Sequence, residues 1–107
     1  VTGKPVPLAL TTPSALRIIQ EAAQESGRIF FTSHAIKRMR QRRITRTQVI
    51  ECLRKGRISE SSHRDIKGDW KCNMTWLHAG DNVTATVVIK RDERTGNCLL
   101  VITVFGG

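Results

Sequence analysis

The sequence predicts an α+β fold, with about three N-terminal helices packed on one face of an antiparallel sheet of roughly three to four strands. Three observations carry that expectation. Helical apolar spacing and helix-capping residues fill the first half of the chain and stop at Gly56. Beyond Gly56 the period changes to two, with Trp70, Cys72, Met74 and Trp76 alternating with Lys71, Asn73, Thr75 and Leu77. Turn residues then break the second half into hairpins, at Ala79-Gly80-Asp81-Asn82 and between Asp92 and Asn97, where Thr95-Gly96 sits.

Taken in order, residues 1–11 hold Pro5 and Pro7 without periodicity and read as a flexible arm, leaving 12–107 as a single domain. A first helix is expected after Thr12, with Pro13 at its first position, where a missing N–H is harmless. Leu16, Ile19, Ala22 and Ala23 share one face of it, and Gly27 supplies the stop. The short apolar stretch Ile29-Phe30-Phe31 leads to Thr32 and Ser33, both competent N-caps for a second helix running through Arg42. Its apolar face is thin, made of Ala35, Ile36 and Met39. Thr45-Arg46-Thr47-Gln48 is a capping box that opens a third helix, with Val49, Ile50 and Leu53 buried and Gly56 as the end. Strands are expected at Val83 to Ile89 and at Cys98 to Phe105, the latter apolar enough for burial on both faces, with a weaker one at Arg57 to Ser61.

Composition narrows the function. Eighteen Lys and Arg against nine Asp and Glu give a formal charge of +9 in 107 residues, an excess that favours a counter-charged partner. RNA or another nucleic acid fits best. No apolar run is long enough for a transmembrane helix and no signal-peptide pattern opens the chain, so a membrane partner is not expected and a cytoplasmic location is. The odd number of cysteines, Cys52, Cys72 and Cys98, suits reduced thiols in that compartment. Cys72, Cys98, His63 and His78 match no ligand spacing, and neither a metal centre nor a cofactor is expected.

The charge is concentrated. Arg28, Lys37, Arg38, Arg40, Arg42, Arg43, Arg46, Arg54, Lys55 and Arg57 share one window with a single acid, Glu51. Arg38 and Arg42 form a like-charged pair at i,i+4, which an ordinary solvated helix avoids. Guanidinium forks engage phosphate oxygens bidentately, so Lys37, Arg38, Arg40, Arg42, Arg43 and Arg46 are the candidate nucleic-acid contacts. The plain alternative is a solvated surface. His34 opens the second helix, with Arg38 and Arg42 following it on one face. A neutral imidazole beside several arginines is the equipment of metal-free RNA cleavage: a base for the 2′-hydroxyl and cations for the phosphorane charge. A lone surface histidine is the competing reading.

The run Ser33-His34-Ala35-Ile36-Lys37-Arg38-Met39-Arg40-Gln41-Arg42-Arg43-Ile44-Thr45 resembles a small bacterial family with the pattern His-Ala-x-x-Arg-Met-x-x-Arg-x-Ile-Thr. In that family a helix ending in Gly and strands closing on an apolar, Thr-containing strand follow. The family is known only as a domain of unknown function and is similar to toxin-like domains of the barnase and RelE-type ribonuclease group. The resemblance covers roughly residues 29 to 105. It implies that His34, Arg38, one of the Arg42/Arg43 pair and Thr103 form the catalytic set of a metal-independent endoribonuclease leaving a 2′,3′-cyclic phosphate. Toxin–antitoxin pairing would add an acidic, antitoxin-like protein partner. Arg42-Arg43 departs from the Arg-Gly spelling common in the family, which leaves the choice between the two arginines open. Thr103 itself reads as a β-branched strand residue, or as a hydroxyl placed with Leu99, Val101 and Phe105 to hold a phosphate oxygen. A non-catalytic RNA- or DNA-binding module uses the same residues, and so does a domain that docks an acidic protein.

Overall fold

In the computed structural model the described residues are 12–64, 70–78, 80–92 and 96–106. The expected arm at 1–11 lies outside them, as do the side chains of His63 and His78. Helix α1 (Thr12–Ala23) is followed by a short 3-10 turn (Ser26–Arg28), strand β1 (Ile29–Phe31), helices α2 (Ser33–Arg42) and α3 (Arg46–Lys55), and strands β2 (Arg57–Arg64), β3 (Trp70–His78), β4 (Asp81–Asp92) and β5 (Gly96–Gly106).

The fold is α+β with its helices in the N-terminal half, and the sheet differs from expectation. It has five strands in the order β1-β5-β4-β3-β2, and it is mixed. β2 to β5 form an antiparallel meander, and β1 joins β5 in parallel, pairing Ile29 with Leu99 and Phe31 with Val101. A three-residue strand lies below the length at which alternation is visible, so only its partner reveals it. Gly80 (φ 84°) stands immediately before β4 and Gly96 (φ 87°) is the first residue of β5, both in the left-handed region that glycine enters without strain.

One face of the sheet carries the core. Ile19, Ala22 and Ala23 of α1, Ala35 of α2, and Val49, Cys52 and Leu53 of α3 pack on Cys72, Met74, Val83, Ala85, Val87, Leu99, Val101 and Val104. Trp76 packs against that core as its alternation implied. α1 ends at Ala23 rather than at Gly27, and the 3-10 turn takes up the difference. The capping box at Thr45 and Gln48 forms in full, with Gln48 Oε1 accepting from Thr45 N (2.7 Å) and Thr45 Oγ1 accepting from Gln48 N (3.1 Å). At the other end of α3, Gly56 is pressed between the Cys52 and Thr75 carbonyls. A Cβ there would stand 2.6 Å from the Thr75 oxygen.

β5 is not a uniform ladder. Val87 pairs with Val101 and Thr86 with Thr103, so Ile102 is an extra residue, a β-bulge. The bulge shifts the alternation by one. Val101 and Val104 both face the core, and Thr103 is turned to the opposite face. The expected grouping of Thr103 with Leu99 and Val101 therefore does not hold. Burial on both faces is also partial, since Phe105 is exposed and Leu100, Ile102 and Thr103 are half-buried.

Candidate nucleic-acid interface

Thr32 sets the geometry of α2. Its backbone N–H donates to Val101 O (3.1 Å), which prolongs the β1–β5 pairing by one residue. Its hydroxyl donates to the carbonyl of the bulged Ile102 (3.0 Å) and accepts from Ala35 N (3.0 Å). One side chain thus caps the helix and ties its start to the bulge. Of the two cap candidates, Thr32 is the one used, and Ser33 and His34 become the first residues of the helix.

α2 buries only Ala35, with Met39 half-buried against the core and Ile36 exposed. His34, Arg38 and Arg42 follow at four-residue intervals on one stripe, a row about 12 Å long at 1.5 Å per residue. His34 is exposed and, among the described residues, has no hydrogen-bond or ion-pair partner. Arg38 Nη1 donates to Gln41 Oε1 (3.3 Å) and remains half-exposed.

The helix ends in a Schellman turn. Ile44 N donates to Met39 O (2.9 Å) and Arg43 N to Arg40 O (3.3 Å), with Ile44 buried as the apolar partner. This closure requires a left-handed residue, and Arg43 adopts it with φ 55° and ψ 40°. A non-glycine residue is disfavoured there by roughly 1–2 kcal/mol. The position is the one at which the Arg-Gly spelling would place glycine.

The cations of the window fall into two groups. Arg54 Nε donates to Ala23 O (2.7 Å) and its Nη2 to Gln24 O (3.3 Å), so this arginine caps the C-terminus of α1. Arg28 pairs with Glu25 (2.9 Å) and Lys55 with Glu51 (3.5 Å). In contrast, Lys37, Arg38, Arg40, Arg42, Arg43 and Arg46 have no carboxylate partner among the described residues. Arg46 instead lies over the Phe31 ring, 4.9 Å from its centroid. Arg57, exposed on β2, likewise has no carboxylate partner among the described residues, but the unpaired cations of the window are densest on α2, the turn after it and the first residue of α3. An open cleft of about 210 Å³ adjoins it, lined by Arg42, Arg43, Ile44, Gln48, Asn82 and Gly106 among others.

Thr103 stands apart from this surface. It faces away from the helices in a row with Thr86 and Asn73, where Thr86 Oγ1 donates to Asn73 Oδ1 (2.7 Å). No hydrogen bond joins Thr103 to α2 among the described residues; the link is through the backbone, where Ile102 meets Thr32. The pairs Asn73–Thr86 and Thr75–Thr84 (3.0 Å) were not singled out from sequence, because only the strand register makes them neighbours. Cys52 and Cys72 are buried in the core. Burial pushes the Cys52 thiol up to about 12 and the Cys72 thiol up to about 11. Among the described residues no three His, Cys, Asp or Glu gather to hold a metal ion, and no helix is long and apolar enough to cross a membrane.

A small α+β domain with a mixed sheet, helices on one face and an acid-free basic helix packed against β5 is the class that these features define. The chain belongs to the family described as Domain of unknown function (DUF4258), which it matches over residues 31–106. The match begins at the last residue of β1 and takes in α2 through β5, so α1 lies outside it. No curated protein and no solved structure matches the chain.

Proposed function

We propose that this domain binds RNA through α2 and the turn that leads into α3. The observation that carries the reading is the sorting of cations. The charges of Arg28 and Lys55 are met by carboxylates, and Arg54 caps α1, while six consecutive cations from Lys37 to Arg46 have no acid beside them. Holding those six together costs repulsion that a phosphate backbone relieves. Affinity for a single-stranded RNA oligonucleotide, followed by fluorescence anisotropy, is expected to fall steeply with salt, by a log–log slope of roughly −0.7 for each phosphate neutralised. A flat salt response removes the reading.

A second reading, metal-independent ribonuclease activity of toxin type, is favoured by the His34–Arg38–Arg42 stripe. In that chemistry His34 takes the proton of a 2′-hydroxyl and the 2′-oxygen attacks phosphorus. The P–O5′ bond breaks, and the 5′-oxygen leaves with a proton supplied by solvent, giving a 2′,3′-cyclic phosphate and a 5′-hydroxyl. Arg38 with Arg42 or Arg43 stabilises the added charge on the phosphorane. Thr103 is assigned no contact with the reacting phosphate, since the bulge turns it to the other face. Purified protein is expected to cleave RNA in EDTA, and His34→Ala to lose about 10²- to 10⁴-fold in rate while still binding. Binding without cleavage leaves the non-catalytic module. An acidic, antitoxin-like protein on the same surface would show itself as a competitor of RNA.

A further inference from the structure

Among the described residues Arg43 is the only non-glycine residue with a positive φ. Nothing in the turn demands an arginine: the Schellman closure uses the backbone N–H groups of Arg43 and Ile44 and the buried side chain of Ile44. Glycine would make the same turn without strain. A strained residue that its neighbours do not require points to a task for its side chain.

Arg43 lines the cleft between the α2–α3 turn on one side and the start of β4 and the end of β5 on the other. The cleft is a set of donors. Arg42 and Arg43 supply guanidinium N–H groups, and none of the lining residues is an acid. Gln48 has its amide oxygen engaged by Thr45 N (2.7 Å), which leaves its NH2 group to donate. Exposed Asn82, on β4, is the second side-chain amide among the lining residues. Ile44 and Gly106 also line the cleft, and Gly106 packs closely on β4: a Cβ there would stand 2.9 Å from Asn82 O.

We propose that this cleft is a phosphate-binding pocket, in which Arg43 and Arg42 grip a backbone phosphate of bound RNA and Gln48 and Asn82 donate to it. The proposal rests on the reading of α2 as an RNA-binding face and assigns Arg43 to the end of that face, beyond the His34–Arg38 stripe. It accounts for an arginine where the backbone favours glycine.

Arg43→Gly separates the two demands on this position. It relieves the backbone and removes the guanidinium, so the melting temperature is expected to rise by about 4–8 °C. The dissociation constant for single-stranded RNA is expected to rise about tenfold. Arg43→Ala should weaken binding equally without the gain in melting temperature. An Arg43→Gly protein that keeps wild-type RNA affinity overturns the pocket and leaves the wider RNA reading intact. Inorganic phosphate, titrated into isotope-labelled protein, tests the pocket without RNA. The side-chain amide signals of Gln48 and Asn82 are expected to shift saturably in wild type and not in Arg43→Gly. Unmoved amides in wild type overturn it, whereas saturable shifts in a protein that binds no RNA would sink only the RNA reading.

Discussion

α2 and α3 are consecutive helices of ten residues each, and they meet opposite demands. α3 buries Val49, Cys52 and Leu53, is capped reciprocally at Thr45 and Gln48, and has its C-terminal cations engaged within the fold. α2 buries Ala35 alone and carries its cations to solvent. Its attachment is made at its ends, by Thr32 to the bulge of β5 and by Ile44 under the Schellman turn. Helices of equal length thus divide the work: α3 builds the domain, and α2 displays a charged surface that the domain holds in place. α2 carries four cations and no acid, α3 three cations and Glu51, and Arg54 and Lys55 of α3 find their partners within the fold.

The sharpest way to break this comparison is to truncate each helix. Leu53→Ala, at a fully buried site, is expected to cost roughly 2–5 kcal/mol of stability. Arg40→Ala on exposed α2 is expected to stay within about 0.5 kcal/mol. Urea melts of the two variants measure both, and comparable losses would mean that α2 is as structural as α3.

The next effect belongs to the core under α3. Cys52 and Cys72 stay protonated in the fold to about 12 and about 11, while their ordinary value is 9.0. Above pH 9 the unfolded chain therefore releases protons that the folded chain retains, and stability falls as pH rises towards 11. Each thiol contributes up to about 1.4 kcal/mol per pH unit over that window. The chain has no tyrosine to titrate alongside. Replacing Cys72 by Ala should make the fall visibly shallower, and an unchanged slope would show that these thiols do not cause it.

Function should follow the opposite helix. Arg38→Ala with Arg42→Ala is expected to weaken RNA binding about 10²-fold and flatten the log–log salt slope by about 1.4, the share of two phosphates. Arg17→Ala, at an exposed position of α1, should change the affinity little. Equal losses would show that net charge, rather than the α2 surface, holds the nucleic acid.

How far the sequence foretold these features follows from the range of the interactions. The α3 capping box was readable because Thr45 and Gln48 are three residues apart and satisfy each other. The alternation of β3 was readable because Cys72, Met74 and Trp76 face one continuous core. β1 was not, since three residues become a strand only through parallel pairing with Leu99 to Val101, some seventy positions away. The bulge at Ile102 is equally silent, because an extra residue exists only relative to a partner strand, and it moved Thr103 off its expected face. In the candidate site, the stripe of His34, Arg38 and Arg42 was legible from helical spacing. The sorting of cations was not, because Arg54 finds its acceptors on a different helix.

That arginine gives the next test. If Arg54 is a cap for α1, Arg54→Ala removes two hydrogen bonds from a charged donor and should cost about 1–2 kcal/mol. RNA affinity should be nearly untouched. A large loss of binding with unchanged stability would return Arg54 to the interface.

The smallest effect lies at the border between the two regions, where Arg46 opens α3 and belongs by charge to the α2 surface. Its guanidinium rests on the Phe31 ring at 4.9 Å, so the last residue of β1 holds the first residue of α3 across α2. An exposed cation–π contact contributes roughly 0.5–1 kcal/mol. Phe31→Leu keeps an apolar side chain against the core while removing the aromatic face, and Arg46→Met keeps length while removing the charge. If the contact is real, the double variant should lose less than the sum of the single losses, by about the contact energy. Additive losses would mean that ring and cation merely lie close. Binding distinguishes the two roles further. Arg46→Met should weaken RNA affinity through lost charge, whereas Phe31→Leu, which frees the cation but leaves it in place, should weaken it only slightly.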